Sequence, residues 1–306
     1  MRLRLKHIRV RRRSERDTRY AILRMEQDAH ESSEGTMQTR APMTTITIRP
    51  IHDPAELRAC QDVQRRTWGI TEDGYLVPVA TLAAASAYGG LVLGAFDGGR
   101  LVGFSFAFRG VLDGTPILYS QLTGVLPEAQ GGGTGRQIKQ WQRTWAHEQG
   151  LPLVAWAFDP LQAMNAHYNL VALGAIATHY HPDFYGPRED ALNPGLPTDR
   201  LLCVWPTADP LPAKPAVSES DVFTIVRTRQ LSNGLLAPDP REREWARFVA
   251  IDIPPDLRPL REQEPQVINR WQSAVRHAFE EAFAKGYRAV TFHRRDSRAW
   301  YVLAKE

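Results

Sequence analysis

Four glycines in five positions, Gly131, Gly132, Gly133 and Gly135, lie between a strand-like run (Ile117 to Val125) and a helix-like run (Arg136 to Gln149). Glycine lets the main chain turn tightly and lets a ligand approach without a Cβ clash, and the unpaired N–H groups that open a helix attract an anion. The stretch Pro127 to Arg136 therefore reads as a loop for a pyrophosphate; the alternative is a glycine-rich turn with no ligand. Two phosphate motifs are excluded. There is no Gly-x-x-x-x-Gly-Lys-Ser/Thr, and Arg136 stands where the last glycine of a dinucleotide fingerprint would fall.

The elements around the loop follow from pattern and punctuation. A strand over Thr44 to Arg49 leads to a helix that Asp53 caps and Pro54 opens, running to about Trp68. Tyr75 to Phe96 is uncharged for long enough to raise a membrane span. Pro78, the Ala-rich Val79 to Tyr88, the Gly89-Gly90 break and Leu91 to Phe96 divide it into a helix and a buried strand. Strands over Leu91 to Phe96 and Leu101 to Phe108 flank a hairpin-type turn, Asp97 to Arg100. After the glycine loop and its helix come a buried strand (Leu153 to Phe158), a short helix (Met164 to Leu173) ending at Gly174, and strands near Ala175 to Tyr180 and Arg200 to Val204. Pro206, Pro210, Pro212 and Pro215 mark a connector, assigned to 207–218. Beyond it, Val267, Trp271, Val275, Phe279 and Phe283 recur every four residues as the apolar stripe of a helix, with strands near Phe248 to Ile253, Ala289 to His293 and Ala299 to Leu303. This region, 219–306, could stand alone or extend the first sheet.

Composition narrows the function class. With 306 residues, 43% apolar and 24% charged, the chain has the make-up of a globular protein with a full core. Residues 1–20 hold nine Arg and Lys against Glu15 and Asp17, so +7 of charge sits there while the whole chain carries +4. The body is mildly acidic and has no broad phosphate-tracking surface. Residues 1–42 lack a hydrophobic period and are expected to be a disordered basic tail or a start-site overextension ahead of Met43; a nucleic-acid-binding arm carries little weight. Cys60 and Cys203 are the two cysteines, far apart, which suggests neither a disulfide framework nor a zinc site and fits a reducing cytoplasm.

The loop, written Gln130-x-x-Gly133-x-Gly135 after a strand and a Val125-x-Pro127 turn, resembles the coenzyme A pyrophosphate loop of the GNAT acyltransferases. The order of elements over 44–206 resembles that fold too. The fold class expected is α/β (α+β): a GNAT acyl-CoA N-acyltransferase fold with a mixed central sheet over 43–206, plus a smaller α/β C-terminal region. The resemblance implies that Gln130, Gly131, Gly132, Gly133, Thr134, Gly135 and Arg136 hold the pyrophosphate. It further implies that the backbone from Gln121 to Val125, with Leu122, Thr123 and Val125, pairs with the pantetheine arm, and that Asn165 contacts the arm or sulfur. Asn165 has an equal alternative as a helix cap.

Acyl transfer from a thioester asks little of a protein: place the amine, take its proton, steady the oxyanion and protonate the thiolate. The family often places the proton-donating Tyr four residues before the glycine of a Leu-Gly pair. Here Leu173-Gly174 puts Leu170 there, a departure that motivates an alternative, a catalytically inactive acyl-CoA-binding or regulatory module. Tyr168 lies roughly 200° around an ideal helix from Leu170 and faces elsewhere unless the helix register differs. The strand before the loop offers Tyr119, Ser120, Gln121 and Thr123 but no carboxylate. Candidate catalytic groups are therefore Glu72 and Asp73 between the first two helices, Tyr168, and Tyr185 with His179, His181 and Asp183. His179-x-His181 lacks a third ligand, so no metal is assigned. A closer resemblance is to a long GNAT subgroup carrying the runs Phe158 to His167, Asp183 to Gly186 and Gly195 to Arg200. Some of its members are linked with N-acyl (succinyl) amino acid metabolism, which implies acetyl-CoA or succinyl-CoA as donor and an amino-acid amine as acceptor. Arg200 or Arg188 could then bind a substrate carboxylate. The expected partners are a small-molecule amine, with no nucleic acid and no membrane, and a homodimer is the assembly to test.

Overall fold

A computed structural model describes residues 46–186, 197–241, 245–295 and 297–305. The expectations for the tail 1–42, for Arg188 and for Gly195 lie outside the described residues. The first strand, β1 (Ile46–Pro50), runs into α1 (Pro54–Trp68), where the Asp53 carboxylate accepts from the N–H groups of Ala55 and Glu56 and Gly69 closes the helix in the left-handed conformation at φ 64°. Helix α2 (Val79–Ala87) and strands β2 (Leu91–Asp97), β3 (Arg100–Leu112) and β4 (Thr115–Val125) follow. Strands β3 and β4 outrun the expected ends because Asp113 and Gly114, at φ 49° and 79°, form a tight hairpin turn that hydrophobic patterning alone passed over. Next come α3 (Thr134–Glu148), β5 (Leu153–Phe158), α4 (Ala163–His167) with a π-turn over Tyr168–Ala172, β6 (Ile176–His181) and β7 (Arg200–Pro206).

The C-terminal region extends the same sheet. Strands β8 (Val222–Gln230), β9 (Leu236–Pro240) and β10 (Phe248–Ile253) precede α5 (Arg258–Gln263), the long α6 (Pro265–Ala284), and the hairpin β11 (Tyr287–Arg295) and β12 (Arg298–Lys305). The twelve strands among the described residues form one sheet in the order β1-β2-β3-β4-β5-β7-β6-β11-β12-β10-β8-β9. The join between the two regions is narrow, an antiparallel contact at Ala289 and Ala177. It is reinforced by α6: Arg276 makes two hydrogen bonds to the buried Asp199, at 2.9 and 2.6 Å, and Phe279 stacks on Tyr180. Strands β8 and β9 were not expected from the sequence; Pro238 and Pro240 on β9 obscure it, and they sit on an edge strand, where a missing donor costs no ladder bond.

Helices α1 and α2 share a cluster with Val92, Phe96, Phe104 and Phe106 on one face of the sheet. On the other face, α3 and α6 belong to one large core that takes in Leu93, Leu118, Val154, Leu201, Ile251 and Phe292. The four-residue stripe is core, with Val267, Trp271, Val275 and Phe279 all buried.

Candidate active site

Strands β4 and β5 are parallel neighbours for three residue pairs only, Ile117 with Leu153, Leu118 with Val154 and Tyr119 with Ala155. Both strands continue, β4 to Val125 and β5 to Phe158, without pairing further. A bulge begins at the parting: Phe106 of β3 faces Leu122 and Ala107 faces Ser120, so Gln121 is an extra residue in β4. Such an insertion bends and twists its strand and leaves backbone groups out of the ladder. On its other edge β5 pairs along its whole length with β7, so past the third pair the facing edges of β4 and β5 are both unpaired.

The glycine loop lies at the mouth of this cleft. Gly131 and Gly133 both adopt φ 80°, a conformation that a side chain disfavours, and Gly133 takes the cap position of α3 without any side-chain cap. The N–H groups of the first turn of α3 are thus available to an anion. A Cβ at Gly132 or Gly133 would meet nothing within 4 Å, so both face open space. Two contacts hold the loop. The Gln130 Nε2 donates to the Val125 carbonyl at 2.9 Å, tying the loop to the end of β4, and Glu128 pairs with Arg66 of α1 at 2.7 Å and with Arg100. Gln130, expected as a pyrophosphate ligand, thus has a bracing role through its amide nitrogen, while its buried Oε1 has no hydrogen-bond partner. Thr134 is buried and Arg136 exposed.

Across the cleft the helix register differs from an ideal α-helix. The N–H of Leu173 bonds back five residues to the Tyr168 carbonyl, and Gly174, at φ 77°, ends the turn. Leu170, at the position where the family pattern has tyrosine, is fully buried in the core. Tyr168 is half-buried, its hydroxyl has no hydrogen-bond partner, and burial pushes its pKa up to about 12 against the opposing charge of Arg136 on α3. The phenol is enclosed against the core within reach of the Arg136 charge, and the π-turn is the change of helix register on which the expectation that Tyr168 faces elsewhere depended. Asn165 is exposed inside α4, whose cap position is Gln162, so it does not serve as the cap.

The opposite sheet face gathers a second set. Tyr119 packs 5.3 Å from Phe108 and hydrogen-bonds with Tyr185, whose ring lies 5.0 Å from the Arg200 guanidinium carbon. Burial, and then Tyr185, push the Tyr119 pKa up. Asp159, next in register to Arg200 beyond the Phe158–Leu201 pair, has its carboxyl raised by burial, although the Leu161 N–H at 2.9 Å and the charge of Arg200 oppose this. Sequence reasoning missed Asp159; its place at the C-terminal end of the cleft strand was the available signal. Glu72 and Asp73 are exposed, and Asp73 turns to Arg65 at 2.8 Å. Asp183 is structural: its carboxylate accepts from the N–H and hydroxyl of Thr198 at 2.9 and 3.2 Å. His179 pairs with Asp113 at 3.2 Å and stacks on His181, whose pKa burial and the neighbouring ring lower. Among the described residues no group of three metal-ligating side chains comes together.

Over β1 to β7 the mixed sheet and the glycine loop between β4 and α3 agree with the α/β fold class expected from the sequence. No family model and no curated protein matches the chain. Solved structures similar to about half of it include the ribosomal-protein-S18-alanine N-acetyltransferase from Escherichia coli, at 17% identity and TM-score 0.42, covering 55% of this chain and 100% of that one. A putative acetyltransferase from Salmonella typhimurium with its cofactor acetyl-CoA matches at 20% and 0.43, over 57% and 99%. A GNAT superfamily phosphinothricin acetyltransferase from Sinorhizobium meliloti in complex with acetyl-CoA matches at 17% and 0.43, over 57% and 94%. At such values the likeness carries no argument about activity. Among the described residues no helix is long and apolar enough to cross a membrane.

Proposed function

We propose that the protein is a GNAT-type N-acyltransferase that moves an acetyl or succinyl group from coenzyme A to a small amine in a reducing, cytoplasmic setting. The single observation that carries the reading is the cleft itself: an open β4 edge past Tyr119, an uncapped α3 at its mouth, and a buried, unpartnered Tyr168 hydroxyl within the field of Arg136. These residues fit coenzyme A. The first turn of α3 would hold the pyrophosphate, the free edge of β4 would pair with the pantetheine amides, and the Tyr168 hydroxyl would give the departing sulfur its proton. The thioester supplies an already activated acyl group.

The acceptor belongs on the other face, against Tyr119, Tyr185, Arg200 and Asp159. A buried carboxyl with a raised pKa is suited to take a proton from an amine, and Arg200 suits an acceptor that also carries a carboxylate, as an amino acid does. Thiol release from acetyl-CoA and succinyl-CoA, measured against amino acids and polyamines, tests the reading. Turnover with any of them supports it. Binding of coenzyme A without turnover across the panel would favour the acyl-CoA-binding regulatory module, and no binding at all would end both. Sedimentation of the purified chain tests the homodimer.

A further inference from the structure

The acyl-transfer scheme uses the loop, the β4 edge and Tyr168, yet leaves unused an unusual side chain beneath the parting strands. Lys139 projects from the second turn of α3 into the sheet and is only 6% exposed. Its Nζ donates to Ser120 Oγ at 2.8 Å and lies 4.2 Å from the centre of the Trp156 ring. Ser120 and Trp156 are the residues directly after Tyr119 and Ala155, the last pair that β4 and β5 make. The amine therefore sits at the vertex of the splay, touching one residue of each diverging strand.

The surroundings are polar but hold no counter-charge. Ser120 Oγ also donates to Gln142 Oε1 at 3.0 Å, and the Gln142 amide donates to Ser105. The ionisable group that acts on Lys139 is the thiol of Cys203 on β7, itself kept protonated by burial. An ammonium in such a place loses its hydration and regains only a hydroxyl and a ring face. Burial accordingly lowers the Lys139 pKa to about 7, so near neutral pH much of it is free amine, the nucleophilic form.

We propose that Lys139 is a self-acylation site, modified by a short acyl-CoA when the cleft holds the thioester and no acceptor amine. The inference rests on the acyl-CoA reading of the cleft. The nitrogen lone pair forms a bond to the thioester carbonyl carbon, the carbon–sulfur bond breaks with its electron pair going to sulfur, and the proton lost by the amine ends on the coenzyme A thiol. The product is an amide at the vertex, where the Nζ charge and its donor capacity toward Ser120 are diminished.

Lysine is scarce enough for the site to be read directly: the chain has five, Lys6, Lys139, Lys214, Lys285 and Lys305. The full chain, unmodified in sequence, is incubated with acetyl-CoA and no amine, and intact mass and peptide mapping follow the adduct while calorimetry on the same sample reports acetyl-CoA binding. The expected result is one acetyl group per chain, on Lys139, formed roughly tenfold more slowly at pH 6 than at pH 8, as an amine titrating near 7 requires. A lysine of ordinary pKa would slow by about a hundredfold over that range. Binding of acetyl-CoA with Lys139 left unmodified, or acetylation spread equally over Lys139, Lys285 and Lys305, overturns the inference and spares the acyl-CoA reading. Absence of binding removes both.

Discussion

The sheet contains two parallel strand pairs, each beside an irregularity in β-ladder register, and they meet opposite fates. Between β8 and β10 the ladder runs Val222 to Thr224 against Phe248 to Ala250, slips, and resumes at Val226 with Ile251. Between β4 and β5 pairing stops at Tyr119, two residues before Gln121, the extra residue that β4 carries against β3. What lies underneath differs. Apolar side chains of α6, among them Trp271, Val275 and Phe279, fill the space below the first pair, whereas α3 presents Lys139 and Gln142 to Ser105 and Ser120 below the second. A bulge alone therefore does not open a sheet. Dense apolar packing underlies the pair that resumes, and a chain of polar groups hydrogen-bonded to one another underlies the pair that parts.

If one half is scaffold and the other is site, substitutions should separate stability from binding. The largest stability effect is expected at Trp271, which is fully buried and donates from Nε1 to the Leu236 carbonyl at 2.9 Å. Trp271→Ala should cost about 3–5 kcal/mol in urea denaturation, with coenzyme A affinity of the folded fraction unchanged. Arg276→Met tests the join. It strands the Asp199 carboxylate, whose side chain is 1% exposed, and a loss of roughly 3–5 kcal/mol is expected; a neutral outcome would show the halves to be independent.

In the site half the order reverses. Tyr168→Phe should lower turnover by about a hundredfold or more at undiminished stability, since the hydroxyl it removes is buried without a partner. Equal turnover in the two proteins would reject Tyr168 as the proton donor.

A pH series probes the polar floor of the cleft. Between about 7 and the ordinary 10.5, the unfolded chain binds a proton at Lys139 that the native chain lacks. This group's contribution therefore makes stability rise with pH across that window, by about 1.4 kcal/mol per unit, and its penalty is complete below pH 7 where both states are protonated. Denaturation midpoints of Lys139→Met should lack this slope. Smallest of all, Gly133→Ala forces a side chain to φ 80° at a cost of roughly 1–2 kcal/mol and should weaken coenzyme A in calorimetry.

Much of this was legible in the residues themselves. Asp53-Pro54 announced a helix that the structure caps through the Asp53 carboxylate, and the glycine run stands where strand gives way to helix. The edge strand β9 was hidden by its prolines, and the hairpin at Asp113-Gly114 by a strand-end estimate made from hydrophobicity alone. The candidate base Asp159 is an unremarkable Asp-Pro in sequence, and it gains its raised pKa only from desolvation beside Arg200.

By itself, then, the sequence determined what depends on neighbouring residues: helix starts and stops, the apolar stripe of α6, and a glycine loop whose φ values near 80° reflect local sterics. Tertiary structure decided whatever depends on residues far apart in the chain. It made one sheet of two regions through Ala177 and Ala289, and it changed the helix register at Tyr168 through a π-turn that the Lys214 ammonium helps hold, by donating to the carbonyls of Leu170 and Ala175. It also stripped water from Lys139 and Asp159. Local torsional preference is written residue by residue, but desolvation and register are properties of the assembled core.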